Sequence, residues 1–470
     1  MGDTHDVIVI GGGPAGSTAA ALLARQGHDV VLFEREKFPR EHVGESLLPF
    51  CYWIFKDLGV VDQMKKLYVR KPGVRFINKD GSASTYWCFF HVIHDESYLS
   101  FQVIRSDFDL MLLKNTERLG AKVHQETRVK DVDISNPDSV TVKTVDAAGN
   151  ERTHQARFLV DASGRDALVG AKNGWRTVRE ELDRTAIWSH WDGVKLTGGL
   201  EEGLSVIIYV GEEQKGWIWC FPLGPERITA GFVAQNSYVR DQHKRLADAG
   251  SKDWKQDLCI QELNKSPFIK KLLEGTTQAL PMQINGNYSY EVKNHYGKNY
   301  CMIGDARGFI DPIFSSGIFL SMKAATLVAP AIHDQLSGKV EGGDKNPAMV
   351  NAYDLITGAY NFVHRMIRLF YNPHAITWAE VGVEGQIHKR HESAMAAGHF
   401  MLSGDFFENY KKYDRFFQLL EDKRGFEIYK DQVLDQPLLK NPVHCEAKWD
   451  EVIGGMAEAD ALRRKGILPV

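Results

Sequence analysis

The sequence predicts an α/β protein: a Rossmann-like βαβ domain interleaved with a mostly antiparallel β-sheet, plus a helical C-terminal region. Three observations carry this. Near the N-terminus a β-branched run, a glycine-rich loop and an Ala/Leu-rich stretch follow one another. From about Thr185 to Ala234, alternating stretches rich in Trp, Tyr, Ile and Val read as strands. From about Ala348 onward, aromatic and aliphatic residues recur at helical spacing.

Taken in order, Asp6–Ile10 (DVIVI) has the unbroken apolar character of a strand buried on both faces. The loop Gly11-Gly12-Gly13-Pro14-Ala15-Gly16 follows, then Ser17–Gln26, whose alanines and leucines favour helix. Gly27 closes that helix, and Asp29–Phe33 (DVVLF) is the next strand, ending at Glu34. Such a unit implies a parallel sheet with helical crossovers. Phe108–Arg118 reads as an amphipathic helix, while Ala121–Val129 and Ser139–Val145 alternate as strands. Phe158–Asp161 and Tyr300–Gly304 repeat the buried-strand pattern, and Gly317–Pro330 reads as a helix. Neither repeats nor low-complexity linkers separate these parts, which suits interleaved domains.

Composition narrows the class. The 470 residues are 43% hydrophobic and 25% charged, with a formal net charge of −4, an ordinary soluble-enzyme balance. No basic field points to nucleic acid or to an anionic membrane. No apolar run is long enough to span a bilayer, and no basic region followed by an apolar stretch marks a leader, so a cytoplasmic protein is expected. The six cysteines (Cys51, Cys88, Cys220, Cys259, Cys301, Cys445) form no C-x-x-C pair. Their scatter is read as neither a disulfide framework nor a metal site.

Gly11-x-Gly13-x-x-Gly16 lies between strand and helix, with Glu34 at the end of the second strand, which is the full context of a dinucleotide site. Gly11 permits the tight turn, Gly13 lets backbone approach the pyrophosphate, and Gly16 lets helix pack on strand. The helix N-terminus attracts the anion, and Glu34 is placed to accept from ribose hydroxyls. Further on, Tyr300–Pro312 (YCMIGDARGFIDP), Arg105 in QVIRSDFDLML and Asp161-Ala162-Ser163-Gly164-Arg165 resemble, in order, motifs of the FAD-dependent monooxygenase superfamily. That resemblance makes the cofactor FAD, with Asp305 on the ribityl chain.

Within that superfamily three features are similar to flavin-dependent halogenases of the phenol and pyrrole branch. Gly216-Trp217-Ile218-Trp219-Cys220-Phe221-Pro222 resembles their W-x-W-x-I-P element, with Phe221 in place of isoleucine. On a strand Trp217 and Trp219 share one face, and the resemblance implies that they wall flavin from the organic substrate. Phe309-x-x-Pro312-x-x-Ser315-x-Gly317 matches a second signature; it implies that the N–H groups of Ser316 and Gly317 cradle chloride or bromide. Lys71, downstream of His42-Val43-Gly44-Glu45-Ser46, stands where the family places its catalytic lysine. An ammonium there can hydrogen-bond hypohalous acid, and a neutral amine can form a haloamine.

The resemblance implies FAD contacts from Gly11, Gly13, Pro14, Ala15 and Gly16, from Glu34 and Arg40, and from Gly44, Glu45 and Ser46. Arg105, Val129, Asp305, Pro312, Gly317 and Ile318 complete that set. The expected division is an FAD-binding domain over 1–180 and 285–345, a β-sheet substrate-side domain over 181–284 and a helical region over 346–470. The implied activity is FADH2-dependent: halide, molecular oxygen and reduced flavin give hypohalous acid, which halogenates an electron-rich phenol or pyrrole, free or tethered to a carrier protein, in secondary metabolite biosynthesis. Tryptophan halogenases carry a glutamate immediately before the Ser of their S-x-G element, where this chain has Phe314. No second dinucleotide motif is visible, so reduced flavin is expected from a separate NAD(P)H-dependent reductase. No metal is implied. His91, His94, Trp87, Phe89 and Phe90 are possible pocket residues, and Tyr360–Tyr371 is read as core or as the lining of a substrate channel. Two rival readings remain: an FAD-dependent aromatic hydroxylase or a prenyl reductase, the latter with a comparable strand that also ends in Phe-Pro, and a non-catalytic flavoprotein whose role is binding a partner, against which the intact motifs argue.

Overall fold

The computed structural model describes residues 3–211, 216–286, 289–381 and 392–421, together with Cys445, Val452 and Met456. The helical reading beyond residue 421 otherwise lies outside the described residues.

In chain order, β1 (Asp3–Ile10), β2 (Val30–Phe33), β3 (Val69–Lys71), β4 (Gly73–Ile77), β5 (Ser84–Cys88) and β6 (Ser100–Gln102) come first. Next come β7 (Lys122–His124), β8 (Thr127–Asp133), β9 (Val140–Asp146), β10 (Glu151–Asp161), β11 (Arg176–Val178), β12 (Arg184–Asp192), β13 (Ser205–Tyr209), β14 (Trp217–Pro222) and β15 (Arg227–Gln235). Then β16 (Thr277–Gln278), β17 (Gln283–Gly286), β18 (Tyr290–Val292), β19 (Tyr300–Met302) and β20 (Gly308–Phe309) follow.

The first sheet runs β7-β2-β1-β10-β9-β8, with β19 also on β10. Its centre is parallel: Ile8 faces Val31 on one side and Leu159 on the other. The residues of β1 from Val7 to Ile10 are buried, as an unbroken apolar strand between neighbours must be. Helix α1 (Pro14–Arg25), α2 (Arg105–Arg118) and α3 (Ser316–Leu336) share one large core with the face that carries Val7, Val9, Val30 and Leu32, while Ile8, Ile10, Val31 and Phe33 on the other face join a separate core. The second sheet runs β16-β12-β15-β14-β13-β4-β5, with β17 on β12. Here alternation sets two faces. Ile187, Trp191, Ile218, Cys220 and Phe232 join an outer core under helices Asn236–Asp248 and Trp254–Leu263. Ala186, Trp188, Trp217, Trp219 and Phe221 belong to the inner core shared with the first sheet and α4 (Pro347–Phe370).

Two findings depart from the sequence reading. Strand β4 pairs in parallel with β13, so the second sheet takes strands from both sides of residue 180. Their pairing partners lie more than a hundred residues downstream, which local periodicity does not report. The scattered cysteines are also corrected. Cys88 and Cys445 form a disulfide across a sequence separation of 357, tying β5 to the C-terminal segment. Only the fold brings two such distant residues within bonding distance. Among the described residues no helix is long and apolar enough to cross a membrane.

Candidate active site

The glycine loop has the geometry its residues require. Gly11 has φ +98°, and a Cβ on Gly16 would lie 1.9 Å from the Gly11 carbonyl oxygen, so neither position tolerates a side chain. Pro14 opens α1, where its missing N–H costs nothing. Glu34 accepts the Gly12 amide at 2.7 Å and the Glu36 amide at 2.8 Å, so its carboxylate braces the loop.

A cavity of about 650 Å³ runs from this loop to the inner face of the second sheet. Gly11, Gly13, Pro14, Ala15, Glu34, Arg40, Gly44, Glu45, Ser46, Arg105 and Val129 border it, as do Trp217, Trp219, Asp305, Pro312, Gly317 and Ile318. Three expected residues do not border it. Gly16 lies beneath Gly11, Ser316 is buried at the start of α3, and Lys71 is buried behind Ser46.

Arg105 anchors the segment before Ser46. Its Nε and Nη2 bond both oxygens of Asp109 at 2.9 and 2.8 Å, while Nη1 donates to the Val43 carbonyl at 2.5 Å. This buried fork is the planar, two-pronged geometry that arginine supplies. The Asp305 carbonyl accepts the Tyr290 hydroxyl at 2.7 Å, whereas its carboxylate has no hydrogen bond among the described residues and the residue borders the cavity. Burial pushes its carboxyl up to about 6, against the pull of Arg105 and Arg165. An unpaired carboxylate facing a cavity is suited to accept hydroxyl donors from a ligand.

On β14, Trp217 and Trp219 pack at 5.4 Å, and the Trp219 indole donates to Thr229 Oγ1 at 3.3 Å. Trp188 on β12 completes the wall, its ring 6.4 Å from that of Trp219. Gly231 makes this possible: its Cβ would meet Trp188 Cβ at 2.4 Å and Trp219 Cη2 at 2.6 Å. Sequence reasoning missed Trp188, Ala186 and Gly231, although Ala186, Trp188 and His190 alternate along a strand just as Trp217, Trp219 and Phe221 do. It also missed His190, buried and hydrogen-bonded to Glu45 Oε1 at 2.5 Å. Burial opposes protonation of this imidazole, but the Glu45 carboxylate outweighs it and holds the pKa above the ordinary value.

The loop that begins at Phe309 ends on Ser315, in the left-handed region at φ +55°, before Ser316 opens α3. The first amides of a helix have no intrahelical acceptor. Among the described residues a Cβ on Gly317 would meet nothing within 4 Å, and the Ser316 hydroxyl is buried without a hydrogen-bond partner. Lys71, fully buried on β3, donates from Nζ to Ser46 Oγ at 2.8 Å and to the Leu47 carbonyl at 3.1 Å. Desolvation pulls its pKa down to about 7. Ser46 in turn meets Ser205 Oγ at 2.9 Å, which accepts from Gln102 at 2.8 Å.

The other pocket suggestions fall away from the cavity. Trp87 and Phe89 are core residues, Trp87 packing on Trp378 and His399, and none of Trp87, Phe89, Phe90, His91 and His94 borders the space. Tyr360–Tyr371 divides: Tyr360 borders the cavity and bonds the Gly304 carbonyl at 3.2 Å, whereas Phe362 packs on Phe406 and Phe417.

The βαβ unit, the side-chain-free phosphate turn and the unpaired Asp305 fit a dinucleotide with a polyhydroxyl chain, which defines an FAD-binding flavoprotein. A family model for the FAD binding domain matches residues 4–344. Flavin-dependent halogenase armH1 of Armillaria mellea is 30% identical over 77% of this chain and 72% of its own. A tryptophan 2-halogenase of Chondromyces crocatus is 32% identical over 71% of this chain and 62% of its own. A 1H-pyrrole-2-carbonyl-[peptidyl-carrier protein] chlorinase of Pseudomonas fluorescens is 29% identical over 78% and 83%. The solved structure of the myxobacterial chondrochloren halogenase CndH superposes with a TM-score of 0.70 at 28% identity, covering 92% of this chain and 96% of that one. The chain belongs to the flavin-dependent halogenases, enzymes built on the FAD binding domain. The hydroxylase and prenyl reductase readings are thereby set aside.

Proposed function

We propose that this halogenase uses reduced FAD, molecular oxygen and chloride or bromide to form hypohalous acid, and that Lys71 delivers the halogen to an electron-rich phenol or pyrrole. The observation that carries this reading is Lys71 itself: a buried amine, set near neutrality, one hydrogen bond from a serine that borders the flavin cavity.

Bound in the cavity, reduced FAD supplies the oxygen-activating chemistry. Asp305 accepts hydroxyl donors along the cofactor, and the glycine loop leaves room for its phosphates. The amides of Ser316 and Gly317 hold the halide. The Trp217, Trp219 and Trp188 rings keep an organic substrate off the flavin, so that oxygen is passed to halide and not to carbon. As a neutral amine Lys71 has two N–H groups, and two acceptors, Ser46 Oγ and the Leu47 carbonyl, take them. The nitrogen lone pair remains. Attack on hypohalous acid forms an N–halogen bond and releases water; transfer of the halogen to the ring, which loses a proton, regenerates the amine.

Phe314 supports the substrate class. It packs against Phe370 at 6.1 Å and Trp378 at 5.9 Å, so an apolar ring stands where tryptophan halogenases place a carboxylate. A ring already rich in electrons needs less assistance. Whether free or held on a carrier protein, that substrate approaches from the side of Lys71. A separate NAD(P)H-dependent flavin reductase supplies the reduced cofactor. The test is incubation with such a reductase, NADH, oxygen, bromide or chloride and resorcinol. Halogenated resorcinol that disappears in Lys71→Ala with FAD retained supports the reading. Full halogenation by Lys71→Ala would remove Lys71 from the mechanism.

A further inference from the structure

Trp217, Tyr371 and Asp311 come from three separate parts of the fold and are joined by hydrogen bonds. The Trp217 indole N–H donates to the Tyr371 hydroxyl at 3.1 Å, and that hydroxyl donates to Asp311 Oδ2 at 2.7 Å. Asp311 Oδ1 accepts the Ile313 amide at 3.1 Å, bracing the turn Pro312–Phe314 that leads to Ser316. The Arg184 guanidinium lies over the Tyr371 ring, 4.5 Å from its centre. Asp311 is wholly buried and Trp217 almost so. Charge-assisted hydrogen bonds in so dry a setting are strong, and leaving their partners unpaired is costly.

We infer that Tyr371, at the end of α4, is a positioning residue that locks the tryptophan wall to the loop from Phe309 to Ser315, so that the two form one rigid unit. The wall lies on β14 and the loop precedes α3, so the two are remote in the chain. Tyr371 supplies the bridge with a single hydroxyl that accepts from one and donates to the other. Halide affinity then depends on the orientation of Trp217, and the orientation of Trp217 depends on the loop. This consequence rests on the proposed halide site, whereas the lock rests on the hydrogen bonds alone.

The experiment compares amide hydrogen exchange of the segment 309–318 in the FAD-loaded full chain, as wild type, Tyr371→Phe and Trp217→Phe. Phenylalanine at 371 keeps the ring under Arg184 and removes only the hydroxyl. Exchange in the segment is expected to rise about ten-fold in Tyr371→Phe, as for the loss of one buried charge-assisted bond. It is expected to rise about three-fold in Trp217→Phe, where a neutral donor is lost. The second variant carries the coupling, because it alters the wall and reads the loop. Unchanged exchange in either variant overturns the inference; where Tyr371→Phe does not hold FAD, Trp217→Phe alone decides it. In parallel, bromide is titrated against the visible spectrum of bound FAD. A bromide Kd raised about five-fold in Tyr371→Phe is the expected result, in keeping with one lost hydrogen bond. A wild-type spectrum that does not respond to bromide would sink the halide assignment and leave the exchange result to judge the lock.

Discussion

Lys71 Nζ lies 2.8 Å from Ser46 Oγ, and of the two only Ser46 borders the cavity. The lysine is therefore held out of water by the serine through which it faces the reaction space. Its burial sets its protonation. The removal of solvent disfavours the ammonium, and the nearby groups are hydroxyl, carbonyl, the Phe89 ring and the Cys51 thiol, with no carboxylate in ion-pair contact among the described residues.

The pH dependence of halogenation follows. If the neutral amine carries the halogen, the rate rises with pH through about 7 and then levels. A rate that falls through the same value assigns the work to the ammonium instead. In Ser46→Ala the ammonium loses an acceptor, so the inflection moves to lower pH. Rate profiles of the two proteins at saturating halide decide this.

Stability should show the same burial. Because the folded-state value lies below that of an exposed lysine, protonation of Lys71 costs the fold. That cost is complete below about pH 7 and fades as pH rises toward the ordinary lysine range. Lys71→Met is expected to raise the unfolding free energy measured by urea titration at pH 6 by more than at pH 9, with the difference on the order of a few kcal/mol. Equal gains at both pH values would show that the lysine is solvated.

Gly16→Ala places a methyl group 1.9 Å from the Gly11 oxygen. The phosphate turn must open to admit it. We expect protein that is recovered without FAD, with a Tm lowered by several degrees, as overpacking at a rigid turn costs about 1–3 kcal/mol. The absorbance ratio of bound flavin to protein measures the loss.

Gly231→Ala tests the tryptophan wall without altering a tryptophan. The added methyl group strikes both Trp188 and Trp219. A stability loss of about 1–3 kcal/mol is expected, along with less halogenated product and more hydrogen peroxide per NADH consumed. Unaltered product partition in a folded, FAD-loaded variant would show that the wall does not govern coupling.

The Cys88–Cys445 pairing predicts a thiol count. Denatured without reductant, the chain should present the four free cysteines Cys51, Cys220, Cys259 and Cys301 and gain two more on reduction. Cys445→Ser should lower stability by about 2–4 kcal/mol, the usual worth of a bridge closing a long loop. Six reactive thiols before reduction would exclude the bond.

Much of this was legible in the sequence, and the reason is local. A βαβ unit is written in some thirty consecutive residues, because strand burial, glycine turns and helix propensity each act between near neighbours. Thus Gly11, Gly13, Glu34 and the strand from Asp6 to Ile10 are found where they were read. The Trp217/Trp219 alternation is equally local, since the strand period alone puts both rings on one face. What the tertiary structure decided is which of these local pieces meet. That Lys71 stands behind Ser46, that Trp188 and Gly231 complete the wall, that Cys88 bonds Cys445 and that Tyr371 bridges Trp217 to Asp311 each depend on segments far apart in the chain. Burial and hydrogen-bond partners at such distances are set by sheet pairing and core packing, which no window of sequence contains.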